Sequence, residues 1–178
     1  MSASVDGLGA PGRERVDDEL SLAALHAQHY ARLVRVAWLL VRDTGRAEEL
    51  VQDAFVELHR RWPGLRERST ATGYLHATVV NRCRSALRHQ AVVRAHPEVR
   101  LVDVDSAESD ALVRLERRRV LDRLQDLPRR QREVLVLRYY GELSEAEIAD
   151  ALGISRGAVK SHSSRGLAAL RPVLGRNA

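Results

Sequence analysis

The sequence predicts an all-α protein with two small helical domains joined by a linker, the C-terminal one being a helix-turn-helix. Apolar residues recur at helical spacing through most of the 178 residues, and the chain has only 5 prolines. This periodicity is lost between Ala91 and Asp110, which separates two helical units. Near the C-terminus, two segments with capping residues flank a glycine, a pattern typical of a helix-turn-helix.

Three helices are predicted in the N-terminal half. The first covers about 19–42, where apolar residues share one face, and residues 1–16 are expected to form a flexible tail before it. The second covers 43–62, with N-cap residues at its start and a Pro-Gly pair after it. The third, 74–90, follows a polar loop and has about one apolar residue per turn. We expect these helices to form one domain, 17–91.

The linker is predicted over 92–110, because this segment contains a proline and an acidic stretch without helical periodicity. A second domain, 111–175, then begins with a helix that ends near Asp126. Pro128 suits the first turn of the next helix, since proline has the required backbone angle and lacks an N–H that would go unsatisfied there. Gly141 is expected to end that helix.

The helix-turn-helix prediction depends on local capping chemistry. Ser144 and Glu147 have the spacing of a capping box, in which each side chain bonds the backbone N–H of the other residue. Gly153 is the residue best able to adopt the left-handed backbone that ends a helix. Ser155 is then a suitable N-cap for the last helix. Capping, turn and apolar spacing therefore agree on two short helices joined by a tight turn.

The last helix has a polar, basic face. Successive residues of a helix are about 100° apart around its axis. With Val159 expected to face the core, the opposite side therefore presents donors for guanine or phosphate. Its N-terminal turn also suits a phosphate group. The candidate DNA-contacting residues are Arg156, Lys160, Ser161, Ser164 and Arg165. Such a face is also found as an ordinary solvated surface, and the capped turn before it favours the DNA-binding interpretation.

The charge distribution indicates two partners of opposite charge. The net charge is +5 and the pI is near 10.1, which favours a polyanionic partner. Residues 155–178 contain four arginines and Lys160 but no acid, whereas residues 43–59 contain five acids and one arginine. One segment is suited to phosphate and the other to a basic partner.

Other classes of protein are not supported by the sequence. The longest apolar run is too short to cross a membrane, and the N-terminus lacks the apolar core of a signal peptide. Cys83 is the single cysteine, so an intrachain disulfide is excluded and a cytoplasmic location is expected. No metal-ligand motif, nucleophile elbow or glycine-rich phosphate loop occurs. We therefore expect no enzymatic activity, no metal and no cofactor.

The order of an acidic helix, a basic helix, a linker and a helix-turn-helix resembles the extracytoplasmic-function (ECF, group 4) sigma factors of bacterial RNA polymerase. The segments that carry the resemblance are AEELVQDAFVELHRRW, GYLHATVVNRCRSALR and LQDLPRRQREVLVLRYYGELSEAEIADALGISRGAVKSHSSRGLAALR. The arginine-rich composition is similar to that of actinobacterial members. The resemblance implies a protein that binds promoter DNA and core RNA polymerase. The contacts on the polymerase would be the clamp of the largest subunit and the flap.

The resemblance also assigns roles to particular residues. The segment ELVQDAF is similar to the one that docks on the polymerase clamp. Glu49, Gln52 and Asp53 are the matching polar positions, and Leu50 and Phe55 would offer apolar contacts to polymerase or belong to the core. The third helix is similar to the one that opens and reads the −10 promoter element. There Asn81 would face a flipped-out base, the loop that begins at Leu65 would capture bases, and Arg82, Arg84 and Arg88 would hold the DNA backbone. The C-terminal motif would read the −35 element.

Two alternatives remain open at this level. A LuxR-type regulator has a similar helix-turn-helix, but its receiver domain would require alternating strands and phosphoacceptor carboxylates. A decoy that binds polymerase or a partner without initiating transcription has the same sequence features as an active sigma factor. ECF sigma factors are usually held by an anti-sigma factor, which the resemblance adds as a candidate partner.

Overall fold

The computed structural model describes the backbone of residues 11–65, 70–93 and 111–174, and the side chains of 22–65, 70–90 and 118–174. Every regular element in these ranges is helical, which confirms the all-α class. A 3-10 turn over Trp62–Gly64 follows the second helix. The helices are α1 (Pro11–Val41), α2 (Thr44–Arg61), α3 (Ala71–Val93), α4 (Ala111–Asp126), α5 (Arg129–Tyr139), α6 (Glu145–Leu152) and α7 (Arg156–Leu174).

The N-terminal unit is formed by α1, α2 and α3, which pack on one another. Leu33, Val51 and Val79 come from the three helices and are all 0% exposed. Asp43 is the N-cap of α2, as predicted, and its side chain accepts a hydrogen bond from the Arg46 N–H at 2.7 Å. This cap allows α2 to fold back antiparallel to α1 after only a short turn.

The C-terminal unit contains the predicted helix-turn-helix. The Ser144 hydroxyl accepts from the Glu147 N–H and the Glu147 carboxylate accepts from the Ser144 N–H, which confirms the capping box. Gly153 ends α6 with a φ of 63°, and the Ser155 hydroxyl caps α7 by accepting from Ala158 N–H at 3.1 Å. Local chemistry therefore sets the turn that presents α7.

Close packing between α5 and α7 fixes the orientation of α7 on this unit. Gly166 is buried against α5, and a Cβ at that position would lie 2.8 Å from Leu135 Cδ1. The absence of a side chain at Gly166 lets the two helices approach at this point.

The two units are in direct contact. Helix α3 packs on α6, and α1 packs on α5. The Gln125 side chain on α4 donates to the Leu39 carbonyl on α1 at 2.7 Å. Most of the predicted linker, residues 94–110, lies outside the described residues.

Two helix starts differ from the sequence-based expectation. Helix α1 begins at Pro11 rather than near Glu19, so the last six residues of the predicted tail are helical. Proline is favoured in the first turn, and the charged residues after it are compatible with a helix. Helix α3 begins at Ala71 rather than Tyr74, because Ala71 is fully buried and its packing extends the helix into the predicted loop.

Candidate functional site

The predicted DNA-reading face of α7 lies on the surface. Val159 is 0% exposed and Ser163 is buried, so the core side of the helix is the expected one. The opposite side carries Lys160, Ser161, Ser164 and Arg165, all exposed except the half-buried Ser161, and Arg156 is exposed in the first turn of the helix. Two cations and two hydroxyls on one exposed helical face, with Arg156 at the start of the helix, can donate to base edges and phosphates.

An acidic residue of α6 lies beside this face. Glu145 accepts from Arg138 at 3.1 Å, and the Lys160 ammonium lies 3.8 Å from its other oxygen. The Lys160 side chain is 70% exposed, so this ion pair is weak and leaves the ammonium accessible. The side chain of Glu145 connects the two helices of the motif to α5.

Helix α2 presents the predicted acidic face, and its two candidate apolar residues lie in the core. Glu49, Gln52 and Asp53 are exposed, as expected. Leu50 and Phe55 are only 4% and 7% exposed, so both pack in the core, one of the two roles expected for them, and their contact with polymerase stays a prediction. Their side of α2 faces the other helices of the unit.

A residue that the sequence analysis missed supplies the apolar part of this face. Val56 is 49% exposed, and it follows Gln52 and Asp53 by one helical turn. Its spacing from Glu49 and Gln52 is a signal that could have identified it. The acidic face, defined as Glu49, Gln52, Asp53 and Val56, therefore has an apolar edge of its own.

A groove of about 720 Å³ separates the acidic face from the predicted DNA-contacting side of α3. Asn81 is exposed and lines the groove, in agreement with its predicted accessibility. Its side-chain oxygen accepts from Arg84 at 3.1 Å, and its amide N–H₂ group is the part of the side chain that can donate to a ligand.

Arg82 lies across this groove instead of pointing away from it. Its guanidinium donates to Asp53 at 2.9 Å and to Glu57 at 3.1 Å, both on α2. Two carboxylates thus already pair with the guanidinium in this conformation, and the contact of Arg82 with the DNA backbone stays a prediction. Arg82 instead orients Asp53 on the acidic face.

Glu57 is the centre of this network. The Tyr74 hydroxyl donates to Glu57 at 2.8 Å, and this bond, with the Arg82 guanidinium, lowers the pKa of the Glu57 carboxyl below its ordinary value. Burial and the same hydrogen bond raise the pKa of Tyr74. Arg61 adds a further ion pair to Glu57 at 3.3 Å. At neutral pH the network holds α2 and α3 in a fixed relation.

The other two predicted cations of α3 have different surroundings. Arg84 points into the boundary between the two units, where its guanidinium forms two 2.7 Å hydrogen bonds to Glu133 of α5. Its predicted contact with the DNA backbone is thus not available in this conformation. Arg88 is exposed and donates to Ser85 at 3.0 Å, so it remains accessible on the same side of α3 as Asn81.

Leu65 is half-buried and packs against the core at the end of the 3-10 turn. Its N–H donates to the Trp62 carbonyl at 3.2 Å. Residues 66–69, the part of the predicted base-capturing loop that follows it, lie outside the described residues. The structure therefore gives both ends of this loop, with Leu65 at its start and residues 71–73 in the first turn of α3.

Buried ionisable groups in α3 are held neutral. His76 is 1% exposed, and burial lowers its pKa below the ordinary 6.5 while its Nδ1 lies 2.9 Å from the Thr72 carbonyl. Burial raises the pKa of Cys83 to about 12, so its thiolate is scarce at neutral pH. Among the described residues, no group of three acidic, histidine or cysteine side chains could hold a metal ion. None of the described helices has the length and hydropathy needed to cross a bilayer.

Both units match known protein families. Residues 25–92 match Sigma-70 region 2, and residues 117–170 match Sigma-70 region 4. The first match contains the acidic face and Asn81, and the second contains α6 and all but the last four residues of α7.

Full-length relatives and solved structures agree with these matches. The chain is 37% identical to the RNA polymerase sigma-E factor of Streptomyces avermitilis over 145 residues, 80% of this chain and 78% of that protein. It is 33% identical to the ECF RNA polymerase sigma factor SigM of Mycobacterium tuberculosis, covering 89% and 79% of the two chains. The fold is similar to that of the sigma factor RpoE in complex with the anti-sigma factor NepR from Bartonella quintana. That similarity has a TM-score of 0.68 at 22% identity and covers 93% of this chain and 99% of that one.

Proposed function

The chain belongs to the extracytoplasmic-function sigma factors of bacterial RNA polymerase, and we propose that its two helical units divide the recognition of polymerase and promoter between them. As a sigma factor it binds core polymerase and directs it to promoters. The residue-level proposal rests on one observation. Each segment that matches a Sigma-70 region presents an exposed face whose charges and hydrogen-bonding groups suit the partner expected for that region. The region 2-like domain is 17–91 and the region 4-like domain is 111–175, with 92–110 as the linker.

The acidic face of α2 is the proposed docking surface for the clamp of the polymerase largest subunit. Glu49 and Asp53 supply the negative charge, Gln52 adds a neutral hydrogen-bonding group, and Val56 supplies apolar area beside them. A basic partner helix would gain both from charge complementarity and from burial of Val56. Arg82 holds Asp53 in place for this contact.

Asn81 is the proposed reader of the −10 element. Its amide N–H₂ group can donate to the edge of an unstacked base, which a charged side chain would do less selectively. Arg88 lies further along the same exposed side and suits the adjoining phosphates. Capture of unstacked bases would supply the energy for strand opening, and the protein itself would carry out no chemical step.

The exposed face of α7 is the proposed reader of the −35 element. The capped turn between α6 and α7 and the packing of Gly166 on α5 hold this helix in a fixed orientation. Lys160 and Arg165 can donate to guanine or phosphate, and Ser161 and Ser164 can bond either. Arg156, in the first turn, suits a phosphate.

We also propose an anti-sigma factor as a partner, on the strength of the RpoE structure, and an actinobacterial type, on the strength of the Streptomyces and Mycobacterium relatives. A cytoplasmic location follows from the proposed work on core polymerase and chromosomal DNA. A LuxR-type regulator is not supported, because the described N-terminal half is helical and matches Sigma-70 region 2.

Separate variants test the two surfaces of the N-terminal unit. Asn81→Ala should impair promoter opening, measured by permanganate footprinting, while core polymerase binding stays normal. His89→Ala is the control, since His89 is an exposed polar residue two turns further along α3 that has no assigned role in binding. Equal losses of opening and core binding in the Asn81 variant would contradict its assignment as a base reader.

The docking surface is tested by the double variant Gln52→Ala with Asp53→Ala. This variant should weaken core polymerase binding in a pull-down and leave the helical circular dichroism signal unchanged. Asp126→Ala removes one charge from an exposed site on α4 and controls for net charge. A normal pull-down by the double variant would refute the docking role.

A further inference from the structure

An acidic side chain borders the DNA-reading face of α7. Residues 155–178 contain no acid of their own, but Glu145, in the first turn of α6, lies 3.8 Å from the Lys160 ammonium. The Glu145 side chain is 26% exposed, so its charge is partly open to solvent beside this face. A carboxylate at this position repels DNA phosphates, although the face itself is basic.

Arg138 of α5 fixes the position of this carboxylate. Its Nη1 group donates to Glu145 Oε1 at 3.1 Å, so that Oε2 is the oxygen nearest to Lys160. A negative charge is also favoured in the first turn of a helix, where it meets the positive end of the helix dipole. Both effects keep the carboxylate beside Lys160.

The Lys160 ammonium lies near the carboxylate without being saturated by it. An ammonium has three N–H donors, and a separation of 3.8 Å is longer than a hydrogen bond. The Lys160 side chain is 70% exposed, so DNA can reach its ammonium. Lys160 can therefore donate to a DNA acceptor while it stays close to Glu145.

The acceptors that DNA offers to Lys160 differ in charge. A phosphate oxygen within reach of the ammonium would also lie close to the Glu145 carboxylate, and the two anions would repel each other. Guanine O6 and N7 are neutral acceptors in the major groove, and the carboxylate does not repel them in this way. Glu145 therefore weakens the contact that every DNA sequence offers and spares the contacts with base edges, which depend on sequence.

We propose that Glu145 is a specificity-determining residue of the helix-turn-helix, which excludes phosphate from Lys160 and directs that side chain to a guanine. Glu145 acts through Lys160 and is a positioning residue. This inference rests on the proposed function of α7 as the reader of the −35 element. Two unit charges about 4 Å apart in water interact by a free energy that corresponds to about fivefold in affinity, which sets the size of the expected effect.

Selection from a pool of random duplexes of promoter length tests the base preference. The full-length chain is assembled with core polymerase, and the duplexes that the complex retains are sequenced. The wild type should enrich guanine at one −35 position where Lys160→Ala does not, which identifies the base that Lys160 reads. Glu145→Gln should reduce the guanine preference at that position about fivefold and leave the other −35 positions unchanged. Glu145→Ala should give the same result.

The salt dependence of binding to a duplex without a selected sequence is a second readout, which a purely structural role would not change. At about 0.1 M salt, the Glu145→Gln complex should bind this duplex about fivefold more tightly than the wild type. The slope of log affinity against log salt concentration should steepen by about 0.9, because Lys160 then gains a phosphate contact.

Two comparisons separate this role from a simple change in net charge. In a chain that already carries Lys160→Ala, adding Glu145→Gln should alter neither readout, because the residue through which Glu145 acts is gone. Asp150→Asn removes the same charge from an exposed site on the same helix, and it should keep the guanine preference and the salt slope of the wild type.

An unchanged guanine preference or an unchanged salt slope in Glu145→Gln would overturn the inference. Equal effects of Glu145→Gln with and without Lys160 would overturn it too, as would a loss of preference at every −35 position, which indicates general disruption of the motif. A wild-type complex that enriches no −35 sequence would instead refute the proposed function of α7, and the role of Glu145 would fall with it.

Discussion

Two valines on opposite sides of α2 offer a direct test of the docking surface. Val51 is 0% exposed and Val56 is 49% exposed, although both lie on the same helix, five residues apart. The same substitution to alanine removes the same two methyl groups from each. The account predicts a loss of stability at one position and a loss of partner binding at the other.

The expected free-energy changes depend on how much of each valine side chain is buried on folding or on binding. Removing two methyl groups from a fully buried valine costs about 1.6 kcal/mol in transfer energy, or about 2 kcal/mol with the cavity left behind. For Val51→Ala this predicts a melting temperature about 4–8 °C lower. Val56 can bury only its exposed half on binding, so Val56→Ala should lose about 0.8 kcal/mol, or about fourfold in core polymerase affinity.

The assay combines thermal unfolding by circular dichroism with a competition titration for labelled core polymerase. Val56→Arg enlarges the effect, because a positive charge facing a basic partner should reduce affinity well over 10-fold. Val56→Ala should leave the melting temperature unchanged. Core affinity that is unchanged in both Val56 variants would refute the reasoning, as would a melting-temperature loss in Val56→Ala as large as that in Val51→Ala.

Three further predictions concern stability and reactivity. Burial lowers the pKa of His76, so below about pH 6.5 the unfolded chain binds a proton that the folded chain does not. The unfolding free energy, measured by urea titration, should therefore fall as the pH drops below that value. It should fall less steeply in His76→Asn. Gly141→Ala would place a Cβ 2.7 Å from the Leu137 carbonyl oxygen and should cost about 2 kcal/mol of unfolding free energy. Gly157→Ala should cost nothing, because its Cβ would meet only the Ser155 hydroxyl, at an ordinary contact distance of 3.9 Å. Cys83, with a pKa of about 12, should react with a thiol reagent far more slowly in the native chain than in urea.

Each of these has a contradicting result. A pH dependence of stability as steep in His76→Asn as in the wild type would remove the histidine from the explanation. Equal stabilities of the Gly141 and Gly157 variants would contradict the packing argument. Labelling of native Cys83 as fast as that of the unfolded chain would contradict its burial.

The helix-turn-helix could be predicted because its signals are local. A serine and a glutamate three residues apart, a glycine at the turn and a second serine each act on backbone groups within a few residues. No distant part of the chain is needed to define them. The structure confirmed every one of these caps.

The acidic face was predicted in part. Exposure of Glu49, Gln52 and Asp53 follows from their polarity, whereas Leu50 and Phe55 were assigned by resemblance and lie in the core. If the helical periodicity of α2 is counted from its buried apolar residues, Leu50 and Phe55 fall on the core side and Val56 falls on the exposed side. The signal that places Leu50 and Phe55 in the core, and Val56 on the surface, was present in the sequence.

The ion pairs of α3 could not be predicted from local sequence. Arg82 bonds carboxylates 25 and 29 residues away, and Arg84 bonds Glu133 at a separation of 49 residues. Such pairs depend on how helices pack and not on the spacing of residues within one helix. An arginine-rich helix has many solvated and paired arrangements of similar energy, and tertiary packing selects among them.

The central claim is that this chain gives core RNA polymerase the ability to start at promoters, and run-off transcription tests it most directly. Purified full-length protein and core polymerase are incubated with a library of promoter templates, with core polymerase alone as the control. The account predicts discrete transcripts that require the protein and disappear with the Gln52→Ala, Asp53→Ala double variant. Normal core binding without a protein-dependent transcript from any template would identify a decoy and contradict the account.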